Sequence, residues 1–131
     1  MVNDSISALI TELKNAGRAR QKAVFFPYSK LILAVAELLV KKGFILSVER
    51  RGKKFYRSIE CEIAYTEDGR PKLTDFKRIS KPGQRIYLKA REIRPVMDGI
   101  GLLVISTNKG VMSGEEAKQR GVGGEALFTV W

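Results

Sequence analysis

The stretch that most constrains this chain is Leu102-Leu103-Val104-Ile105, an apolar run with β-branched members that reads as a buried strand. It runs straight into Ser106, Thr107 and Asn108, three small hydrogen-bonding side chains, and then Lys109 and Gly110. A rigid element thus carries short polar groups to one tip, and the glycine keeps the turn open to close approach. The expectation is a presentation device, with binding at its end.

Charge says what kind of partner such a tip meets. The 131 residues carry 24 Lys/Arg against 14 Asp/Glu, a formal +10, and an excess of that size points to a polyanion, nucleic acid before an acidic membrane surface. The excess is uneven: +8 over residues 1–57, −4 over 58–69, +7 over 70–94 and −1 over 95–131. The nearly neutral closing third would therefore bind by shape and hydrogen bonds, while the basic segments supply the salt-sensitive attraction to phosphate.

Other classes are excluded by what is missing. There is no histidine and one cysteine, Cys61, which removes most metal-ligand sets, any intrachain disulfide and any triad with a histidine base. No stretch approaches the roughly 18 apolar residues of a membrane span, and the amino terminus begins polar, so the expectation is a cytosolic protein without a membrane partner, metal or cofactor. Gly99-Ile100-Gly101 lacks the third glycine of a dinucleotide loop, and no phosphate loop of the GxxxxGK[ST] type is present. Ser106 and Thr107 have no base beside them except Lys109, so a nucleophile is not expected.

Taken in order, Ile6, Leu9, Ile10 and Leu13 mark one face of a helix capped by Asn3 or Asp4 and ended by Gly17. Arg18, Arg20 and Lys22 follow, either as a solvated helix end or as phosphate contacts. Ala23 to Phe26 predicts a short strand stopped by Pro27. Ser29 is placed to cap a second helix with the stripe Leu31, Ala34, Val35, Leu38 and Leu39, and Gly43 to stop it. Phe44 to Glu49 and Phe55 to Tyr65 predict strands around a basic hairpin, Arg50 to Lys54; Ile59, Cys61, Ile63 and Tyr65 form the core face of the second, alternating with Ser58, Glu60, Glu62 and Ala64.

Glu67-Asp68-Gly69-Arg70-Pro71 is turn chemistry where the charge changes sign, read as a domain boundary or a long hairpin loop. Leu73 to Ile79 and Gln84 to Lys89 predict strands about the tight turn Lys81-Pro82-Gly83. Pro95 limits Ala90 to Gly99 to a short helical turn or an irregular connection. Ser113 and Glu116 have capping-box spacing for a helix of about two turns ending at Gly121, and Glu125 to Trp131 closes the chain as a strand. The fold class is α+β, with domains expected at 1–66 and 72–131, the second rich in strands.

The hydroxyls and amide of the tip suit the ribose 2′-hydroxyl and base edges in the shallow minor groove of A-form RNA. Tyr87, beside Arg85 and Gln84, can stack on a base or simply pack its ring, and Lys81 and Arg85 can hold phosphates. Gly123 and Gly124 allow backbone to approach a ligand, or make a plain hairpin turn. On these residues the chain reads as a basic RNA-binding protein, with a general RNA-binding regulatory protein as one alternative.

Ser106-Thr107-Asn108-Lys109-Gly110-Val111-Met112, followed by Gly121-Val122-Gly123-Gly124-Glu125, resembles the signature region of the ribosomal protein S-eight family, bacterial type. Lys81-Pro82-Gly83-Gln84-Arg85-Ile86-Tyr87 resembles another block of that family, and the likeness extends from Asp4 through Ser29-Lys30 to Gly43-Phe44-Ile45. The resemblance implies two tightly associated α/β domains and a non-enzymatic primary RNA binder that attaches to the central domain of small-subunit ribosomal RNA and supports its assembly. It also implies neighbouring small-subunit proteins as partners and, in some bacteria, repression of the protein's own operon messenger RNA.

In the family the carboxyl-terminal domain makes the main RNA contacts through a Ser-Thr-Ser loop, a tyrosine and a Gly-Gly-Glu turn. On this chain those fall on Ser106, Thr107, Asn108, Lys109 and Gly110, on Tyr87, and on Gly123, Gly124 and Glu125. Asn108 stands where serine is usual and Glu12 where arginine is frequent. Phe128 replaces a smaller residue, often cysteine, which bears on how the last strand faces RNA.

Overall fold

The computed structural model describes residues 4–53 and 57–131; Asn3, Lys54, Phe55 and Tyr56, expected at a helix cap, a hairpin and a strand start, lie outside the described residues. Helix α1 (Ser5–Arg18) buries Ile6, Leu9, Ile10 and Leu13, as their spacing predicts. Gly17 does not end it. That glycine is buried inside the helix, where an added Cβ would lie 2.8 Å from Pro71 Cβ, so the position is kept small by packing. The stop falls at Arg20, which takes φ 58 while its N–H donates to Gly17 O (3.2 Å) and the Gln21 N–H donates to Ala16 O (2.9 Å).

Ser29 caps α2 (Lys30–Lys41) as expected, its hydroxyl accepting from the Ile32 N–H at 3.4 Å, and Gly43 leaves the helix with φ 84. The buried stripe is Ile32, Val35, Ala36, Leu38 and Leu39; Leu31, expected in it, is exposed, because the buried face is centred one residue further on. Strands β1 (Ala23–Pro27), β2 (Ile45–Arg51) and β3 (Ser58–Ile63) form an antiparallel sheet in the order β1-β3-β2. Pro27 thereby ends an edge strand, where a missing N–H is tolerated.

Ile59, Cys61 and Ile63 are buried on one face of β3. The alternation stops there: Ala64 is buried as well, and Tyr65 is half-exposed with its hydroxyl donating to Gln21 O at 2.5 Å. Burial, with a smaller contribution from the Glu60 charge, pushes the Cys61 thiol up to about 11. Glu67 to Pro71 is a hairpin loop: Gly69 has φ 85, and the Thr66 N–H donates to Arg70 O (2.7 Å) below a Tyr65–Pro71 bridge.

The chain divides into two compact units, Ser5–Thr74 and residues 75–131 joined by Asp4. The second is a five-stranded antiparallel sheet of β4 (Phe76–Arg78), β5 (Tyr87–Leu88), β6 (Leu102–Thr107), β7 (Gly110–Ser113) and β8 (Gly124–Val130), in which both β4 and β5 pair with β8. β4 and β5 are shorter than their sequence patterns suggest, since each pairs with only one end of β8. Between β5 and β6, Ala90–Glu92 is a single 3₁₀ turn and Met97–Gly99 a tight turn with Met97 and Asp98 at φ 47 and 57, the irregular connection Pro95 predicts.

Helix α3 (Gly114–Arg120) is capped by Ser113, whose hydroxyl accepts from the Glu116 N–H at 3.1 Å, and it stops at Gly121 with φ 70. Its Ala117 joins Ile93, Leu103, Ile105, Met112 and Ala126 in one core cluster. Val104, Phe128 and Val130 are fully buried on the opposite face of β6 and β8. Phe128 is therefore a core residue, its side chain closed off from solvent.

Candidate nucleic-acid interface

Strand pairing assembles the site. Tyr87 on β5 pairs with Glu125 on β8, and Glu125 pairs with Ser106 on β6. Directly paired residues share a face about 5 Å apart, so the three form a cross-strand row spanning roughly 10 Å. The buried Val104–Phe128 pair lies further along the same face, which thus runs from core to solvent. At the solvent end the Tyr87 ring is 66% exposed, and the Ser106 hydroxyl makes no hydrogen bond among the described residues.

An acid in such a row needs explaining. Arg85 Nη1 lies 3.3 Å from Glu125 Oε2, with Arg85 half exposed and Glu125 largely covered. The guanidinium offsets the carboxylate charge and keeps donors on its outer edge. Arg85 is held by the turn before it. Lys81 and Gln84 exchange backbone hydrogen bonds at 3.0 Å in both directions around Pro82 and Gly83 (φ 85), the pattern of a type II turn. The turn is pinned by Ser80, buried to 1% exposure: its hydroxyl accepts from the Ile86 N–H (2.9 Å) and donates to Ile86 O (3.2 Å). Lys81 and Gln84 project from it into solvent.

Beside the row, the β6–β7 hairpin closes with Thr107 opposite Gly110. The Thr107 hydroxyl accepts from the Lys109 N–H at 3.0 Å and donates to Gly110 O at 2.9 Å, and Gly110 takes φ 114. Asn108 and Lys109 are exposed at the tip, and neither side chain has a partner among the described residues. Among the described residues nothing organises a base around Ser106. The arrangement can donate and accept hydrogen bonds, stack and attract phosphate, which is binding chemistry.

Residues 4–131 match the family model described as Ribosomal protein S8. The chain belongs to that family. Among its relatives is the small ribosomal subunit protein uS8 of Roseiflexus castenholzii (strain DSM 13941 / HLO8), 46% identical over 130 residues and covering 99% of this chain and 98% of the relative. The protein of the same name from Chlorobium limicola (strain DSM 245 / NBRC 103803 / 6330) is 41% identical with the same coverage, and that of Helicobacter pylori (strain Shi470) is 38% identical over the whole of both chains. The S8 family is structural and ribosomal, and this chain is not an enzyme.

The fold gathers most of the residues picked out from the sequence, with changed parts to play. Tyr87, Glu125 and Ser106 share the row, Arg85 and Lys81 flank it, and Asn108, Lys109 and Gly110 form the tip beside it. Thr107 is engaged within its own turn. Gly123 and Gly124 face the protein: an added Cβ would lie 2.4 Å from Leu88 O at the first and 2.2 Å from Ser106 O at the second. They let β5 and β6 close on β8, so their smallness serves strand packing.

Two positioning features of this S8 family chain were missed in the sequence. Ser80 carries no charge and belongs to no motif; its one signal is a lone serine just before a Lys-Pro-Gly turn. The other is a bulge in β8: Val104 pairs with Phe128, but Ile105 pairs with Ala126, so Leu127 has no partner on β6.

Proposed function

We propose that this chain is a primary ribosomal-RNA-binding protein of the small subunit, in the cytoplasm, attaching to the central domain of small-subunit ribosomal RNA and supporting its assembly beside neighbouring small-subunit proteins. Binding of its own operon messenger RNA, with translational repression, belongs to the same reading. The observation that carries it is the row Tyr87–Glu125–Ser106: an exposed ring, a charge-compensated acid and an unengaged hydroxyl at the solvent end of a rigid sheet. A shallow groove with exposed 2′-hydroxyls and one unstacked base offers complementary groups in that order of size. Lys81, Arg85 and Lys109 supply phosphate attraction around it, and Asn108, Gly110, Gly123 and Gly124 shape its edge.

The test is a titration of the full chain with a transcript of the ribosomal RNA central domain and with duplex DNA of equal length, each at two salt concentrations. The expected result is a preference for the RNA that survives added salt better than total affinity does. Equal affinity for both polyanions would overturn the reading.

A further inference from the structure

A second cationic feature lies in the other compact unit. Arg50 and Arg57 both sit over the ring of Tyr28, their guanidinium carbons 4.6 and 5.2 Å from its centroid. Pairing brings them there: the Tyr28 N–H donates to Arg57 O at 3.2 Å, one step beyond the Pro27–Ser58 pair, and Arg50 lies opposite Ile59. Both arginines are exposed, and neither meets a carboxylate among the described residues. The adjacent Arg51 is the opposite case, with Nε 2.8 Å from Glu60 and Nη2 2.8 Å from Glu49.

Two like charges converging on one ring repel each other, and the negative face of the ring offsets only part of that cost. Tyr28 also precedes Ser29, the cap of α2, whose first turn carries no acid, so the helix dipole adds field of the same sign. The summed field of this arrangement favours an anion. The fork of a guanidinium matches phosphate oxygens, and a stacked one has already given up much of its freedom.

We propose that Arg50 and Arg57, held by Tyr28, form a second RNA-backbone contact that binds phosphate groups without reading sequence. It rests on the RNA-binding reading above, and it assigns to the first unit a definite part of the salt-sensitive affinity. Arg51, neutralised by two acids, takes no part.

The experiment compares the full-length wild type with Arg50→Ala/Arg57→Ala, Arg50→Lys/Arg57→Lys and Arg51→Ala, titrating each with the central-domain transcript from low to moderate salt. Each phosphate contact contributes about 0.7–0.9 to the slope of log affinity against log salt, so the double alanine chain should lose about 1.5. Its preference for the RNA over duplex DNA should stay at the wild-type value. The lysine pair and Arg51→Ala should both keep the wild-type slope. If thermal melting shows the double alanine chain unfolded, Arg50→Gln and Arg57→Gln singly decide, with about half the change each. A wild-type slope in the substituted chains, while the wild type still prefers RNA, overturns this site alone; loss of that preference in the wild type overturns the parent reading instead.

Discussion

Glu125 and Phe128 lie on the same face of one strand although they are three positions apart. In a regular strand an odd separation places two side chains on opposite faces, and the unpaired Leu127 between them restores the parity. One residue thus lets β8 place a fully buried phenylalanine against Val104 and an acid beside Ser106 on a single surface. Without the bulge, the carboxylate would point toward Ile105 and Met112.

Ser106 and Thr107 are neighbours with different expected effects. Ser106→Ala should weaken RNA binding by about 1–2 kcal/mol, with the melting temperature unchanged, because its hydroxyl has no bond to lose among the described residues. Thr107→Ala removes two turn hydrogen bonds and should lower stability by about 1 kcal/mol, with Thr107→Ser restoring it. Calorimetry on the three variants separates the two effects; equal melting losses at both positions would contradict the assignment.

Gly124→Ala should be among the most damaging single substitutions in the second unit. The new methyl would meet Ser106 O at 2.2 Å, both strands are fixed by their ladders, and relief requires parting β6 from β8. A loss of about 2 kcal/mol or more is expected in denaturant unfolding. An unaltered midpoint would mean that the strand pair yields easily.

On the proposed RNA-binding reading, removing Arg85 should do more than remove one phosphate contact. Arg85→Ala leaves the Glu125 charge facing an approaching polyanion, so affinity should fall more than tenfold; adding Glu125→Gln should recover part of it. A double-mutant cycle should give a coupling of at least about 0.5 kcal/mol. Strict additivity would show that the pair does not act as a unit.

Cys61 sets an alkaline limit. Its thiol is pushed up from 9.0 to about 11 by burial, so the folded state holds its proton where the unfolded chain releases it. Its stabilising contribution is complete below pH 9 and fades as pH rises from 9 toward 11. At pH 8 iodoacetamide should modify the denatured chain promptly and leave the native thiol intact; fast native labelling would show local opening of β3.

The features legible in the sequence are those decided within a few residues. Ser29 and Ser113 cap as their positions demand, Gly43 and Gly121 stop their helices, and Lys81-Pro82-Gly83 turns. Where local reading falls short, distant neighbours decide. Gly17 reads as a helix stop because its contact with Pro71 is invisible locally, and Arg20 takes the left-handed position that glycine usually fills. Gly123 and Gly124 leave two readings open because the neighbours that an added side chain would meet, Leu88 and Ser106, lie 35 and 18 residues earlier in the chain. The site residues were picked by type and resemblance; their common row follows from register and a bulge, which no local pattern encodes.

The hydrogen bonds of Thr107 also bear on how the hairpin tip meets a partner. A turn locked by its own side chain has little disorder left to surrender at contact, so complex formation should approach a single diffusional step and selectivity should be read out in dissociation. On the proposed RNA-binding reading, the same rigidity forbids adaptation: an RNA groove of the wrong width would meet a surface that will not remould around it, and would be released.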